Sequence, residues 1–389
     1  MTTLALRGRV VTEKEVWDWG TVLVEGGKIS AVSREQLDAD ETLDVGEGFL
    51  APGFVDLQVN GAFGVDVVAH PDNLHELSAK LLTTGVTSYL PTMVSLPLDR
   101  YPALLSEISL DAKTGAEPLG LHLEGPFINP AKRGAHPEEN VSPPDAEALR
   151  AMLAAASVRM VTLAPELPGA GELVKVATRR DAVVSVGHSD ATFEETLEAL
   201  DSGVRSVTHL FNAMSPLHHR DPGVPGAALT HPEAVCGIIA DGRHVHPGMV
   251  RLAYEKLGPD RLYLVTDAMS AAGMDAGDYA LVDRRVRMSD GVPRLEDGTI
   301  AGSVLLMDEA LRNTLAFTGC SLPEAVRMAA TTPARLIGED GRKGRLALGC
   351  DADVVALSPD LTIEAIWSRG VLRYDQRLGA AGVTDPRGA

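Results

Sequence analysis

The stretch 182-AVVSVGHSDATFEETLEALDSGVRSVTHLFNAM-214 contains a strand, a helix and a second strand in succession. AVVSVGHS (182–189) and VRSVTHLFN (204–212) are near-continuous apolar runs of strand length. Between them TFEETLEALDSG (192–203) carries a helical pattern, with Gly203 as a C-terminal cap. A strand that is apolar along its length is covered on both faces, which is the condition of a parallel strand in an α/β fold. Both strands end on a polar residue, His188 in one and His209 in the other.

The same unit recurs on either side. Eight strand-like runs are found: GFVDLQVN (53–60), VTSYLPT (86–92), PLGLHLEG (118–125), VRMVTLAPE (158–166), the two above, AVCGIIADG (234–242) and RLYLVTDAM (261–269). Helical patterns separate most of them, among them NLHELSAKLLTTG (73–85), PDAEALRAMLAAA (144–156), GELVKVATRR (171–180) and HPGMVRLAYEKLG (246–258). Eight such units predict a (β/α)8 TIM-type barrel rather than an open sheet, and no GxGxxG follows the first strand to favour a dinucleotide fold. In a barrel the C-terminal ends of all strands meet at one mouth. Strands three, five, six and eight therefore deliver Glu124, His188, His209 and Asp267 to one place.

Both ends of the chain are β-rich and not α/β. Gly26-Gly27 marks a hairpin between VLVE and KISAV. The expected organisation is a small β-sandwich domain from both termini, residues 1–52 plus 344–389, around a barrel of residues 53–343. Residues 282–300 break the barrel pattern with a polar hairpin turning at Asp290-Gly291, expected over or beside the mouth.

Composition narrows the function. Aromatic residues make up 4% of the chain, so the core is built from Val, Leu, Ala and Ile. The 35 basic against 54 acidic residues give a net charge of −19, which argues against nucleic acid and anionic membranes as partners. A local positive cluster in a pocket still allows a small anionic substrate. Cys236, Cys320 and Cys350 are sparse and widely spaced, with no CxxC, and are expected as reduced thiols. No secretory signal pattern and no apolar run of spanning length is present, so a cytoplasmic protein is expected.

Two imidazoles and a carboxylate are a natural ligand set for one divalent metal, and a further aspartate at the same mouth is a natural base for water. His122 shares the inward face of its strand with Glu124. It is either a donor beneath the site or barrel filling. His218 and His219 add positive field near a phosphate or are surface residues, and Cys236, inside a strand, is expected in the core.

PGFVDLQVNG (52–61), GLHLEGPFINPAKRGAH (120–136), VGHSDA (186–191), THLFNAMSP (208–216), TDAM (266–269), DGTIAGS (297–303) and GCDADVVAL (349–357) together resemble the N-acetylglucosamine-6-phosphate deacetylases of the amidohydrolase superfamily. The resemblance covers nearly the whole chain. It implies hydrolysis of the acetamide of N-acetylglucosamine 6-phosphate to acetate and glucosamine 6-phosphate, in amino-sugar catabolism and cell-wall recycling. It implies Glu124, His188 and His209 as metal ligands and Asp267 as the catalytic acid/base. His136, on the long loop after strand three, is the candidate donor to the carbonyl oxygen, and the resemblance also places it at the substrate. Asn212, Ala213, Arg220, His244 and Leu305 are implied as substrate contacts, Arg220 reaching the neighbouring site of a homodimer. Zn2+ is the expected metal, and Fe2+, Co2+ or Mn2+ suit the same ligands. Where many relatives have His-x-His at the end of strand one, this chain has Gln58-Val59-Asn60, so one metal per chain is expected and not two. The competing readings are another N-acyl amidohydrolase, such as one for N-acetylgalactosamine 6-phosphate, and a barrel that binds without catalysing.

Overall fold

The computed structural model describes residues 2–111 and 114–377. Among these, eight strands pair in chain order, each parallel to the next: Phe54–Val59, Val86–Met93, Leu121–Glu124, Val158–Leu163, Val183–Val186, Ser206–Val207, Val235–Ile238 and Leu262–Leu264. The ring closes beyond the last strand, where Asp267 N–H donates to Gln58 O at 3.0 Å and Asn60 N–H donates to Ala268 O at 2.8 Å. The wall is thus a (β/α)8 barrel.

Several strands stop short of their apolar runs. VRSVTHLFN keeps regular pairing only at Ser206–Val207, with single backbone bonds beyond it, from Thr208 N–H to Val186 O and from Leu210 N–H to Gly237 O. At the C-terminal ends backbone conformation interrupts the regular ladder: His188, His209 and Asp267 have φ of +49°, +32° and +49°. A side-chain-bearing residue at positive φ cannot continue a strand and costs about 1–3 kcal/mol. At these three positions the regular ladder is interrupted and the side chain enters the mouth, while single backbone bonds such as Leu210 N–H to Gly237 O continue the wall.

The helices cover the outside. Ala146–Ala155 starts at Asp145, whose side chain accepts from the backbone of Glu147 and Ala148, and buries Leu149, Met152 and Leu153. Those three recur at the i, i+3, i+4 spacing of one helix face. Phe193–Asp201 starts with a capping box of Thr192 and Glu195, a feature worth about 1 kcal/mol. No helix of the described residues is long and apolar enough to cross a membrane.

Both ends of the chain share one seven-stranded sheet. Its order is Val371–Asp375, Ile363–Ser368, Val354–Leu357, Glu41–Pro52, Thr3–Val11, Val16–Glu25 and Lys28–Ser33. The sheet folds over on itself: Ile29 N–H donates to Cys350 O at 2.9 Å, and Gly349 N–H to Ile29 O at 2.8 Å. Leu6, Val22, Leu50, Val354 and Trp367 fill the space enclosed. Residues 378–389 of the expected terminal unit lie outside the described residues. The buried Lys343 joins the two parts of the molecule through Glu117 Oε2 at 2.7 Å, Asp351 Oδ2 at 2.9 Å and Asp353 Oδ2 at 2.7 Å.

The polar insertion begins earlier than the sequence pattern indicates. It is a three-stranded antiparallel sheet, Gly277–Leu281, Arg284–Ser289 and Val292–Arg294. Leu281, Val286 and Met288 face inward while Arg285 and Arg287 face water. Asp290 and Gly291 both take positive φ at its turn. Arg284 Nη1 donates to Ala135 O at 3.1 Å, and Arg243 Nη1 donates to Asp290 O at 2.5 Å. The insertion therefore braces two loops of the mouth.

Candidate active site

The first barrel strand presents Asp56, Gln58 and Asn60 on its inward face, as its two-residue period requires. Asp56 is fully enclosed and accepts from Thr266 Oγ1 at 2.5 Å, pinning strand one to the segment that leads into Asp267. Burial raises its carboxyl to about 7. Above it, Gln58 Nε2 donates to Glu124 Oε1 at 2.8 Å and to Asp267 Oδ1 at 3.1 Å. Asn60 Nδ2 donates to Asp267 Oδ1 at 2.7 Å. Each amide faces a carboxylate oxygen, so each presents its nitrogen and has no lone pair to offer a cation there.

Glu124, His188 and His209 converge beside these amides. His188 Nε2 and His209 Nε2 lie 3.2 and 3.0 Å from Glu124 Oε1, and 3.1 Å from each other. Ligand atoms at 2.0–2.1 Å from a tetrahedral zinc lie about 3.3 Å apart, so the triangle has the size of one face of such a site. His188 Nδ1 lies 2.9 Å from Lys132 O. A carbonyl only accepts, so Nδ1 carries the proton and leaves the Nε2 lone pair free for a metal. Burial alone would raise the Glu124 carboxyl, but His188 and His209, when they also carry a proton on Nε2, outweigh it and hold it well below its ordinary value. The residues therefore fit a divalent metal ion.

Asp267 completes the mouth. Burial first, and the charge of Glu124 second, raise its carboxyl to about 7. His136 stands on the opposite wall. Ser95 N–H donates to its Nδ1 at 3.1 Å, so the neutral ring carries its proton on Nε2, which lies 4.0 Å from Glu124 Oε2. Burial, assisted by the neighbouring His188, lowers this imidazole to about 3, so it stays neutral.

A cavity of about 410 Å³ opens above these groups. His136, Asn212, Ala213 and His244 line it together with Glu124, His188, His209 and Asp267. His244 Nδ1 is 2.6 Å from Asp241 Oδ2, which turns its Nε2 outward. Two of the expected substrate residues lie elsewhere. Leu305 is buried outside the lining, and Arg220 is exposed beside a separate concavity with His218 and Thr192. The sequence reading missed Asp241, although ADGRH places it three residues before His244. It also missed Ser95, which is 41 residues from His136 and has no local signal.

Residues 49–373 match the amidohydrolase family. The N-acetylglucosamine-6-phosphate deacetylase of Homo sapiens is 39% identical over 384 residues, covering 94% of this chain and 93% of that one. The N-acetylgalactosamine-6-phosphate deacetylase of Escherichia coli O157:H7 is 39% identical over 377 residues, covering 95% and 99%. Among solved structures, a mutant N-acetyl-D-glucosamine-6-phosphate deacetylase from Mycobacterium smegmatis in complex with N-acetyl-D-glucosamine-6-phosphate superposes with a TM-score of 0.89. It is 32% identical and covers 95% of this chain and 98% of that one. Fold, mouth and end-to-end similarity agree: the chain belongs to the amidohydrolase family and groups there with the N-acetylglucosamine-6-phosphate deacetylases.

Proposed function

We propose that the protein hydrolyses the acetamide of N-acetyl-D-glucosamine 6-phosphate, releasing acetate and D-glucosamine 6-phosphate. The observation that carries this reading is the meeting of Glu124, His188 and His209 within 3.2 Å of one another, with Asp267 across the same mouth. One divalent ion, Zn2+ in our reading, would be held by those three side chains and would supply an acidified water and a pull on the carbonyl oxygen. Asp267, with a carboxyl near neutrality, takes the proton from the attacking water and returns it to the leaving amine. His136 offers its Nε2–H to the carbonyl oxygen as negative charge gathers there. Asn212, Ala213 and His244 grip the sugar phosphate from the far side of the cavity. Arg220 completes the phosphate site of a second subunit, and Leu305 shapes the wall from behind.

The amide nitrogens of Gln58 and Asn60 support a single ion, since a second one beside Asp267 would meet N–H groups. Discontinuous pairing of the ends supports division into residues 1–52 with 344–389 and a barrel of 53–343. Three free thiols support a cytoplasmic setting. The equally similar N-acetylgalactosamine-6-phosphate deacetylase favours the 4-epimer as the second reading.

Acetate release from N-acetylglucosamine 6-phosphate, N-acetylgalactosamine 6-phosphate and unphosphorylated N-acetylglucosamine, on protein of measured metal content, is the test. The proposal expects the first substrate to be fastest and metal near one per chain. No acetate from any of the three overturns it.

A further inference from the structure

His122, with 1% exposure, points into the barrel two residues below Glu124. Its Nδ1 lies 2.9 Å from Leu57 O, so Nδ1 carries the proton and donates. In the neutral ring Nε2 then accepts, and Thr162 Oγ1 donates to it across 2.8 Å. A threonine hydroxyl has one proton. Across the 2.7 Å contact of Thr162 with Thr208, Thr208 must therefore be the donor. The same reasoning makes Ser185 the donor to Thr208 across 2.6 Å. The chain has one polarity, from Ser185 through Thr208, Thr162 and His122 to the Leu57 carbonyl.

Each end and branch of this chain lies under a residue of the mouth. Leu57 precedes Gln58, Thr208 precedes His209, Ser185 is three before His188, and His122 is two before Glu124. The backbone ladder ties only neighbouring strands around the wall. Two of the four side-chain bonds instead cross the interior, joining strand one to strand three and strand four to strand six, which are not ladder neighbours. Burying hydroxyls and an imidazole is costly unless each is paired, and an apolar layer would fill the same space without that demand.

We infer that this chain sets the spacing of the three metal ligands, with His122 and Thr162 as its positioning residues. The inference rests on the reading that Glu124, His188 and His209 hold a divalent ion. Thr162→Val keeps the shape and removes the hydroxyl, while Thr162→Ser keeps the hydroxyl. Zn2+ affinity is measured by competition with a chromophoric chelator, beside thermal melting of the metal-free proteins. Thr162→Val is expected to weaken Zn2+ binding about 10- to 100-fold with KM for the sugar phosphate unchanged, and Thr162→Ser to restore most of the affinity. Ser185→Ala, at the free end of the chain, is the milder variant, expected to lose about fivefold. Wild-type protein that binds no Zn2+ overturns the metal reading and this inference together. Wild type that binds, with folded Thr162→Val or Ser185→Ala binding as tightly, overturns this inference alone.

Discussion

The side-chain amide of Asn60 donates to Asp267 Oδ1 at 2.7 Å. Gln58 sends its own amide to the same oxygen at 3.1 Å. Among the described residues Oδ2 receives no hydrogen bond, so the carboxylate is held by one oxygen and works with the other.

Asp267→Asn removes the proton carrier and leaves Glu124, His188 and His209 in place. Turnover is expected to fall by at least about 10²–10⁴-fold with metal content unchanged. Steady-state kinetics beside elemental analysis of the same preparation checks this, and a variant retaining most of its activity assigns the base elsewhere.

Asn60→Leu tests what the amide does to the base. Burial and the Glu124 charge raise the Asp267 carboxyl, while the Asn60 amide favours its ionised form and lowers it. The base works ionised, so activity falls on the acid side as it takes up a proton. Without the amide that fall should start at a higher pH than in wild type. A pH profile of kcat/KM whose acid limb stays in place or moves down contradicts the assignment.

Arg220 stands exposed, away from the cavity of its own chain. If it serves a partner's phosphate, Arg220→Ala should raise KM for the phosphorylated sugar by about 10- to 100-fold and leave the unphosphorylated sugar nearly unaffected. Sedimentation of the wild type should show a dimer. Equal losses on both substrates would remove Arg220 from phosphate binding.

Lys343 is enclosed by Glu117, Asp351 and Asp353 where the barrel meets the terminal sheet. Lys343→Met strands buried carboxylates and should destabilise the protein by about 3–5 kcal/mol in urea titrations at neutral pH. Burial would raise the Asp351 carboxyl, but the Lys28, Lys343 and Arg342 side chains bring it from its ordinary 3.8 down to about 2. The stability it contributes is present above the ordinary value and is lost as pH falls towards 2. In the variant that loss should be smaller and complete at a higher pH, and the gap to wild type should narrow in acid.

The four groups of the mouth were legible because each ends an apolar run, and strand ends in a barrel have only one place to go. The lengths of those strands were not. Nothing in VRSVTHLFN announces that His209 takes a positive φ, because the strain is imposed by the surrounding fold and not by local preference. The single-metal expectation came from residue types at positions 58 and 60, whereas the direction of their amides required the carboxylates of strands three and eight. His122 remained ambiguous in the sequence because its partners, Leu57 and Thr162, lie 65 and 40 residues away. Arg220 is legible only as chemistry, since its guanidinium is exposed outside the cavity.

The seven-stranded sheet also has a consequence for synthesis on the ribosome. Glu41–Pro52 pairs on one side with Val354–Leu357, which is translated about 300 residues later. At 5–20 residues per second that is a wait of roughly 15–60 s, during which the early strands carry an open edge. Glu41, Asp44 and Glu47, exposed along that strand, put negative charge on it while the barrel is being made. The nascent chain thus has to finish its catalytic unit before its first-made sheet can close.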